Sequence, residues 1–131
     1  MYMEAKTAED FKQIDEIERN KTPAKTGDIM FTTWGYDMTL NDYCKVLENT
    51  GKTVKCVMID KIVTDDTGIG NGKSMPCPDA IISPPFRLHV RMRTDNEGFT
   101  YVGSYPYARG DTRKGYFRKW SGEPNYYNTW D

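Results

Sequence analysis

The sequence is short of the groups that most catalytic and metal chemistry requires. Among 131 residues there is one histidine, His89, so no two-histidine acid–base pair can form. Three cysteines, Cys44, Cys56 and Cys77, include no Cys-x-x-Cys pair, which argues against a structural zinc site. Their odd number, without a secretory leader, argues for reduced thiols. The longest apolar runs are only a few residues, Val57-Met58-Ile59 being typical, too short for a membrane-spanning helix. The N-terminus lacks the basic-then-apolar pattern of a signal peptide. These absences lead to the expectation of a cytoplasmic protein with no cofactor, no metal and no membrane partner. Hydrophobic content of 37% is low but sufficient for one core, and 131 residues fit one domain.

Charge is also scarce in net terms, at −1, but it is unevenly placed. Residues 1–20 carry six acids against three bases, and residues 84–131 carry eight Lys or Arg against five acids. The basic end is the aromatic end as well.

Thr7 is a helix N-cap candidate with acids in the following turn, and Phe11, Ile14 and Ile17 recur at helical spacing. The pattern predicts a helix from about Ala8 to Arg19, lying on a sheet. From Asp28 to Trp34, strand formers alternate with Ile29, Phe31 and Thr33 on one face. Gly35-Tyr36-Asp37 breaks that strand, and a second runs from Asp42 to Glu48. In the break, Gly35 permits the corner and Asp37 caps it, while Trp34 and Tyr36 cover the end of the sheet. A three-residue loop, Asn49-Thr50-Gly51, leads into a third strand, Thr53 to Val63, with Gly51 at positive φ. In this register Val46 faces Val54, Cys44 faces Cys56 and Lys45 faces Lys55, giving one uniformly apolar face.

Residues 64–80 read as an irregular loop punctuated by Pro76 and Pro78. Its Gly72-Lys73-Ser74 lacks the upstream glycine of a phosphate-binding loop, and Thr67 stands there instead. From Phe86 the alternation is clean, with Phe86, Leu88, Val90 and Met92 on one face and Arg87, His89, Arg91 and Arg93 on the other. Phe99 to Tyr105 returns as its partner, where Gly103 suggests a bulge or a close backbone approach. The tail carries Arg109, Arg113, Lys114, Arg118 and Lys119 among Tyr107, Tyr116, Phe117 and Trp120.

No catalytic constellation assembles from these residues, and a non-catalytic protein is expected. Arginines neutralise phosphates and aromatic rings stack on unpaired bases, so the ridge and tail form a candidate binding face. The candidate residues are Arg87, His89, Arg91, Arg93, Arg109, Arg113, Lys114, Tyr116, Arg118, Lys119, Trp120, Trp34 and Tyr36. A sequence pI near 5.9 is low for a dedicated nucleic-acid binder, so an acidic protein or a phosphorylated ligand fits the same charges. His89 with Arg91 and a tyrosine leaves a metal-independent RNase as a further alternative.

One set of residues carries a resemblance. Gly27-Asp28, Phe31, Trp34-Gly35-Tyr36-Asp37 and Thr39, then Tyr43 and Lys52-Thr53-Val54, are similar to small proteins of bacterial phages and mobile elements. Those proteins read GD-x-F, then WGYDQTN, then a Tyr-rich strand and a KTV strand. Near their end they carry a Trp, then Asp or Ser, then Gly-x-Pro-x-Tyr, which Trp120-Ser121-Gly122-Glu123-Pro124-Asn125-Tyr126 resembles. This sequence departs at Met38 and Leu40, where the group has Gln and Asn. The two blocks span about a third of the chain. The resemblance implies an accessory protein acting in the bacterial host cytoplasm, with counter-defence inhibition of the anti-CRISPR kind as one role.

The expected fold is α+β. An N-terminal helix packs on a strongly bent antiparallel sheet of about five strands, with a small open SH3-like barrel as its closed limit. The single domain divides into helix and linker (1–26), the WGYD three-stranded unit (27–63), a loop (64–80), a basic hairpin (81–108) and an aromatic, basic tail (109–131). The expected core is Phe11, Ile14, Ile29, Phe31, Val46, Val54, Cys56, Met58, Leu88 and Val90. The expected function is binding of nucleic acid, or of host machinery that handles it, through the basic and aromatic face. Docking on a host defence protein, sequestering a nucleotide signal and RNA cleavage are the alternatives.

Overall fold

The computed structural model describes residues 18–34, 40–64, 71–92, 98–108 and 111–128. Eight strands organise them: β1 (Ile29–Trp34), β2 (Leu40–Asn49), β3 (Thr53–Thr64), β4 (Asn71–Ile81), β5 (Phe86–Met92), β6 (Phe99–Ala108), β7 (Asp111–Lys119) and β8 (Asn125–Asn128). Six of them close an antiparallel barrel in the order β1-β2-β3-β5-β6-β7, with β7 returning to β1.

Strand β3 is long enough to serve two neighbours along one edge. Residues Thr53–Cys56 pair with β5 inside the barrel, and residues from Ile59 onward pair with β4. Strands β4 and β8 therefore leave the barrel as a two-stranded extension.

The α+β expectation is overturned. Among the described residues no helix reaches seven residues, and only residues 18–20 are helical. The expected helix otherwise falls outside the described residues, as do its core candidates Phe11 and Ile14. The barrel fills its interior from its own walls, as small barrels do. Met30, Cys44, Val46, Val54, Cys56, Leu88, Tyr101, Tyr105 and Phe117 are fully buried, and Met58 nearly so.

The large rings need space, and two facing glycines provide it. Gly103 lies opposite Gly115 across β6 and β7. A Cβ on Gly115 would stand 2.8 Å from both the Phe117 and Tyr105 rings, and one on Gly103 would stand 3.3 Å from Leu88. The expected close approach at Gly103 is thus present. Tyr105 and Phe117 pack edge to face at 5.1 Å.

The segment before β1 covers one barrel end. Ala24 is buried there, its amide donates to the Tyr101 hydroxyl at 2.7 Å, and its carbonyl accepts from Asn49 Nδ2 at 2.7 Å. Gly98 has φ +100, and a Cβ there would meet the Asn20 carbonyl oxygen at 2.3 Å, so this crossing requires glycine.

Several local expectations need correction. Strand β1 turns its other face inward: Met30 and Thr32 are buried, whereas Ile29 and Phe31 are only half-buried. Both faces carry strand formers, and pairing with β2 decides between them, since Met30 sits opposite inward-facing Cys44. The β2–β3 register is displaced from the expected one, with Val46 opposite Cys56 and Cys44 opposite Met58. A slip of two residues keeps the faces, so the apolar face survives. Beyond a bulge at Val46/Glu48, Glu48 rather than Lys45 faces Lys55, which replaces like charges by opposite ones. Gly51 takes φ +94 in the turn, as expected.

The segment expected to be a loop, 64–80, carries most of β4, and the tail supplies β7 and β8. Pro76 and Pro78 stand in the half of β4 that β8 does not reach, near a bulge between Ile59 and Lys61 on β3. An edge and a bulge are the sheet positions that tolerate missing donors.

Candidate functional site

The outer surface of β5, β6 and β7 is a small lattice fixed by register. Register sets His89, Val102 and Tyr116 in one row and pairs Arg91 with Thr100 and Ser104 with Lys114, while Arg87 and Arg118 lie two residues along from His89 and Tyr116 on the same faces of β5 and β7. The middle strand presents small side chains, and the flanking strands present long cationic or aromatic ones. Directly opposed side chains on adjacent strands lie about 5 Å apart, so each opposed pair is within reach.

Strand β7 continues this surface to β1, but the two strands pair only at Met30–Lys119 and Phe31–Arg118. Beyond that short junction an open cleft of about 690 Å³ runs between them. Thr32, Thr33, Arg91, Thr100, Val102, Lys114, Gly115, Tyr116 and Arg118 line it. No carboxylate is among these described residues. Arg91 and Lys114 have no ion pair among the described residues. Lys114 lies over the Tyr116 ring at 5.7 Å, and the Arg118 guanidinium lies over Phe31 at 5.3 Å. Tyr116 is 59% exposed, which leaves ring surface available for stacking. Thr100 is only 9% exposed, and its Oγ1 is buried without a hydrogen-bond partner.

A second cleft of about 500 Å³ lies on the other side of the junction. Arg19, Lys25, Asp28, Lys119 and Trp120 line it, with Thr22, Ser121 and Gly122. Burial holds the Lys119 ammonium below its ordinary pKa, Asp28 opposes this, and the charges of Lys25 and Arg19 add to it.

The structure thus divides the sequence candidates. Arg87, His89 and Arg91 are exposed on β5 and share the lattice with Lys114, Tyr116 and Arg118. Lys119 and Trp120 belong to the second cleft. Trp120 is held in place, its indole donating to the Glu123 carbonyl at 2.7 Å and its ring meeting Tyr43 edge-on at 6.5 Å. Arg113 lies off the lattice, with its guanidinium 4.4 Å from the Tyr107 ring centroid. Trp34 ends β1 opposite Leu40. Arg93, Arg109 and Tyr36 lie outside the described residues, as does the rest of the WGYD turn.

Sequence reasoning missed Thr32, Thr33, Thr100, Arg19 and Lys25. Threonines on a strand carry no functional signal: β5–β6 pairing sets Thr100 opposite Arg91, and closure of β7 onto β1 brings Thr32 and Thr33 to Lys114 and Arg118.

A different polar cluster ties β2 to the β4–β8 extension. The Tyr43 hydroxyl lies 2.8 Å from Ser74 Oγ and accepts from Asn125 Nδ2 at 3.2 Å, and Asn41 Nδ2 donates to Ser74 Oγ at 3.3 Å. Lys61 pairs with Asp42 at 3.5 Å and also donates to the Asn41 carbonyl. Tyr105 donates to Asp42 at 2.7 Å. Burial pushes the Tyr43 and Tyr105 pKa values up, and for Tyr105 the Asp42 carboxylate adds to the shift.

No protein-family model, curated protein or solved structure matches this chain. Among the described residues no helix is long and apolar enough to cross a membrane.

Proposed function

We propose that the protein is a non-catalytic binding protein for single-stranded nucleic acid, an accessory protein of the phage or mobile-element kind its sequence resembles. The observation that carries this reading is the lattice on β5–β7. It sets cationic columns on both sides of a strand of small residues, beside an exposed tyrosine, with no carboxylate among the described residues of the cleft. Such a surface neutralises phosphates along its flanks and stacks a base on Tyr116. The acidic sequence pI makes the cationic face local, so binding should be modest and strongly salt-dependent.

The test is binding of labelled single-stranded RNA and DNA to wild type, to R87A/R91A/K114A and to Y116A. The charge variant should lose most affinity and salt dependence, and Y116A should lose affinity with its salt dependence retained. Equal affinity in all three proteins would refute the reading.

A second reading has one observation in its favour. Beyond Arg118, β7 offers β1 no ladder partner among the described residues, and an open strand edge can accept an extended peptide. An acidic segment of a host nucleic-acid-handling or defence protein would then occupy the cleft. Its signature is host-protein capture that R91A/K114A abolishes, by a chain that binds no oligonucleotide.

A further inference from the structure

The second cleft has no role in the function proposed so far, and its charges are poorly compensated. Arg19, Lys25 and Lys119 share it with a single carboxylate, Asp28. That carboxylate is engaged by the Lys25 backbone amide at 2.9 Å, and none of the three cations is within ion-pair distance of an acid among the described residues. Three cations around one carboxylate leave the cleft with excess positive charge, which attracts an external anion.

Its position is as informative as its charge. The first cleft begins at Thr32 and Arg118, and the second begins at Ile29 and Lys119. Arg118 lines the first and its chain neighbour Lys119 the second, and the two clefts lie on either side of the junction with β1. Both clefts place hydroxyl side chains beside cations: Thr33 and Thr100 in the first, Thr22 and Ser121 in the second.

We infer that the two clefts are one track, occupied by a single polyanionic strand that follows the β1–β7 seam from Lys114 to Lys25. This rests on the reading of the β5–β7 face as a nucleic-acid surface, and it names the ligand's minimum size and its second anchoring point. The five residue steps from Lys114 to Lys119 cover about 17 Å at strand rise, which matches about five stacked nucleotides. A mononucleotide would occupy the first cleft alone, and an oligonucleotide would engage both.

The experiment compares fluorescein-labelled (dT)8 with unlabelled uridine monophosphate on the full chain, using wild type, R19A/K25A and R91A/K114A. Circular dichroism first confirms that each variant retains its strand content. For R19A/K25A, (dT)8 affinity should fall at least about tenfold, with a log–log salt slope shallower by about 1.4 for two lost phosphate contacts. Its affinity for uridine monophosphate should not change. R91A/K114A should weaken both ligands. If (dT)8 binding responds to R91A/K114A but not to R19A/K25A, the track is wrong and the first cleft stands alone. If wild type does not bind (dT)8, the track and the nucleic-acid reading fall together.

Discussion

The barrel carries two polar regions built on opposite principles. Around Tyr43, Ser74, Asn125, Asn41, Lys61, Asp42 and Tyr105, donors meet acceptors and the one cation meets a carboxylate. Along the β1–β7 seam, cations outnumber acids among the described residues and a buried threonine hydroxyl has no partner. The first region bonds largely within itself and joins the β4–β8 extension to the barrel. The second is left with an excess of positive charge among the described residues. Polar residues are equally conspicuous in both, so polarity does not mark function. The balance of donors, acceptors and charge does.

The largest test of this contrast is alkaline pH. Tyr43, Tyr101 and Tyr105 are buried with raised pKa values, chiefly because burial penalises the phenolate. Below the ordinary tyrosine pKa of about 10 the unfolded and folded chains both hold these protons. Above it the unfolded chain gives them up first, so stability is lost as pH rises. The limiting slope is roughly 1.4 kcal/mol per pH unit for each tyrosine. Lys119 acts in the opposite sense, because its lowered pKa lets the unfolded chain hold the extra proton until the ordinary lysine value is passed. Urea denaturation between pH 8 and 11.5 should therefore show a steep loss at the alkaline end. A flat profile would mean that the three phenols are not buried as described.

Next in size is the removal of charge from the seam. R91A/K114A should weaken single-stranded oligonucleotide binding about a hundredfold, equivalent to about 2.7 kcal/mol, and leave the denaturation midpoint nearly unchanged. A large loss of stability would place these residues with the self-satisfied cluster instead.

Tyr43→Phe should do the reverse. It takes a shared partner from Ser74 and Asn125, which should cost about 1–3 kcal/mol in denaturation while oligonucleotide affinity is kept. Gly115→Ala should cost a similar ~1–3 kcal/mol, because its Cβ would press on the Phe117 and Tyr105 rings.

The smallest effect has the most telling sign. Thr100→Val removes a buried hydroxyl that has no partner, so the unliganded fold should gain up to about 1 kcal/mol. A loss of stability would show that the hydroxyl is satisfied within the fold.

Much of the cationic side of this contrast was legible in the sequence, and for a definite reason. On β5 the alternation of Arg87, His89 and Arg91 with Leu88 and Val90 states both the strand and its outer face. Strand β7 hid because its inward positions include Gly115, whose role is to leave room for rings rather than to be apolar itself. Strand β4 hid behind Pro76 and Pro78, which are permitted only because β8 ends before reaching them. The face of β1 was inverted because Ile29-Met30-Phe31-Thr32 suits either orientation, and the choice lies in the pairing with Cys44. The seam itself was invisible, since it exists only where strands distant in sequence close the barrel. The self-satisfied cluster was equally hidden: a hydrogen bond between Tyr43 and Ser74 leaves no trace in local periodicity.

The decisive measurement is the salt dependence of wild-type binding to a labelled single-stranded oligonucleotide, followed by anisotropy from about 50 to 200 mM salt. Four phosphate contacts along the β5–β7 face correspond to a log–log slope of about −2.8, and R91A/K114A should reduce its magnitude by about 1.4. Binding that is absent at low salt, or present with a slope near zero, would contradict the assignment of the cationic face to nucleic acid.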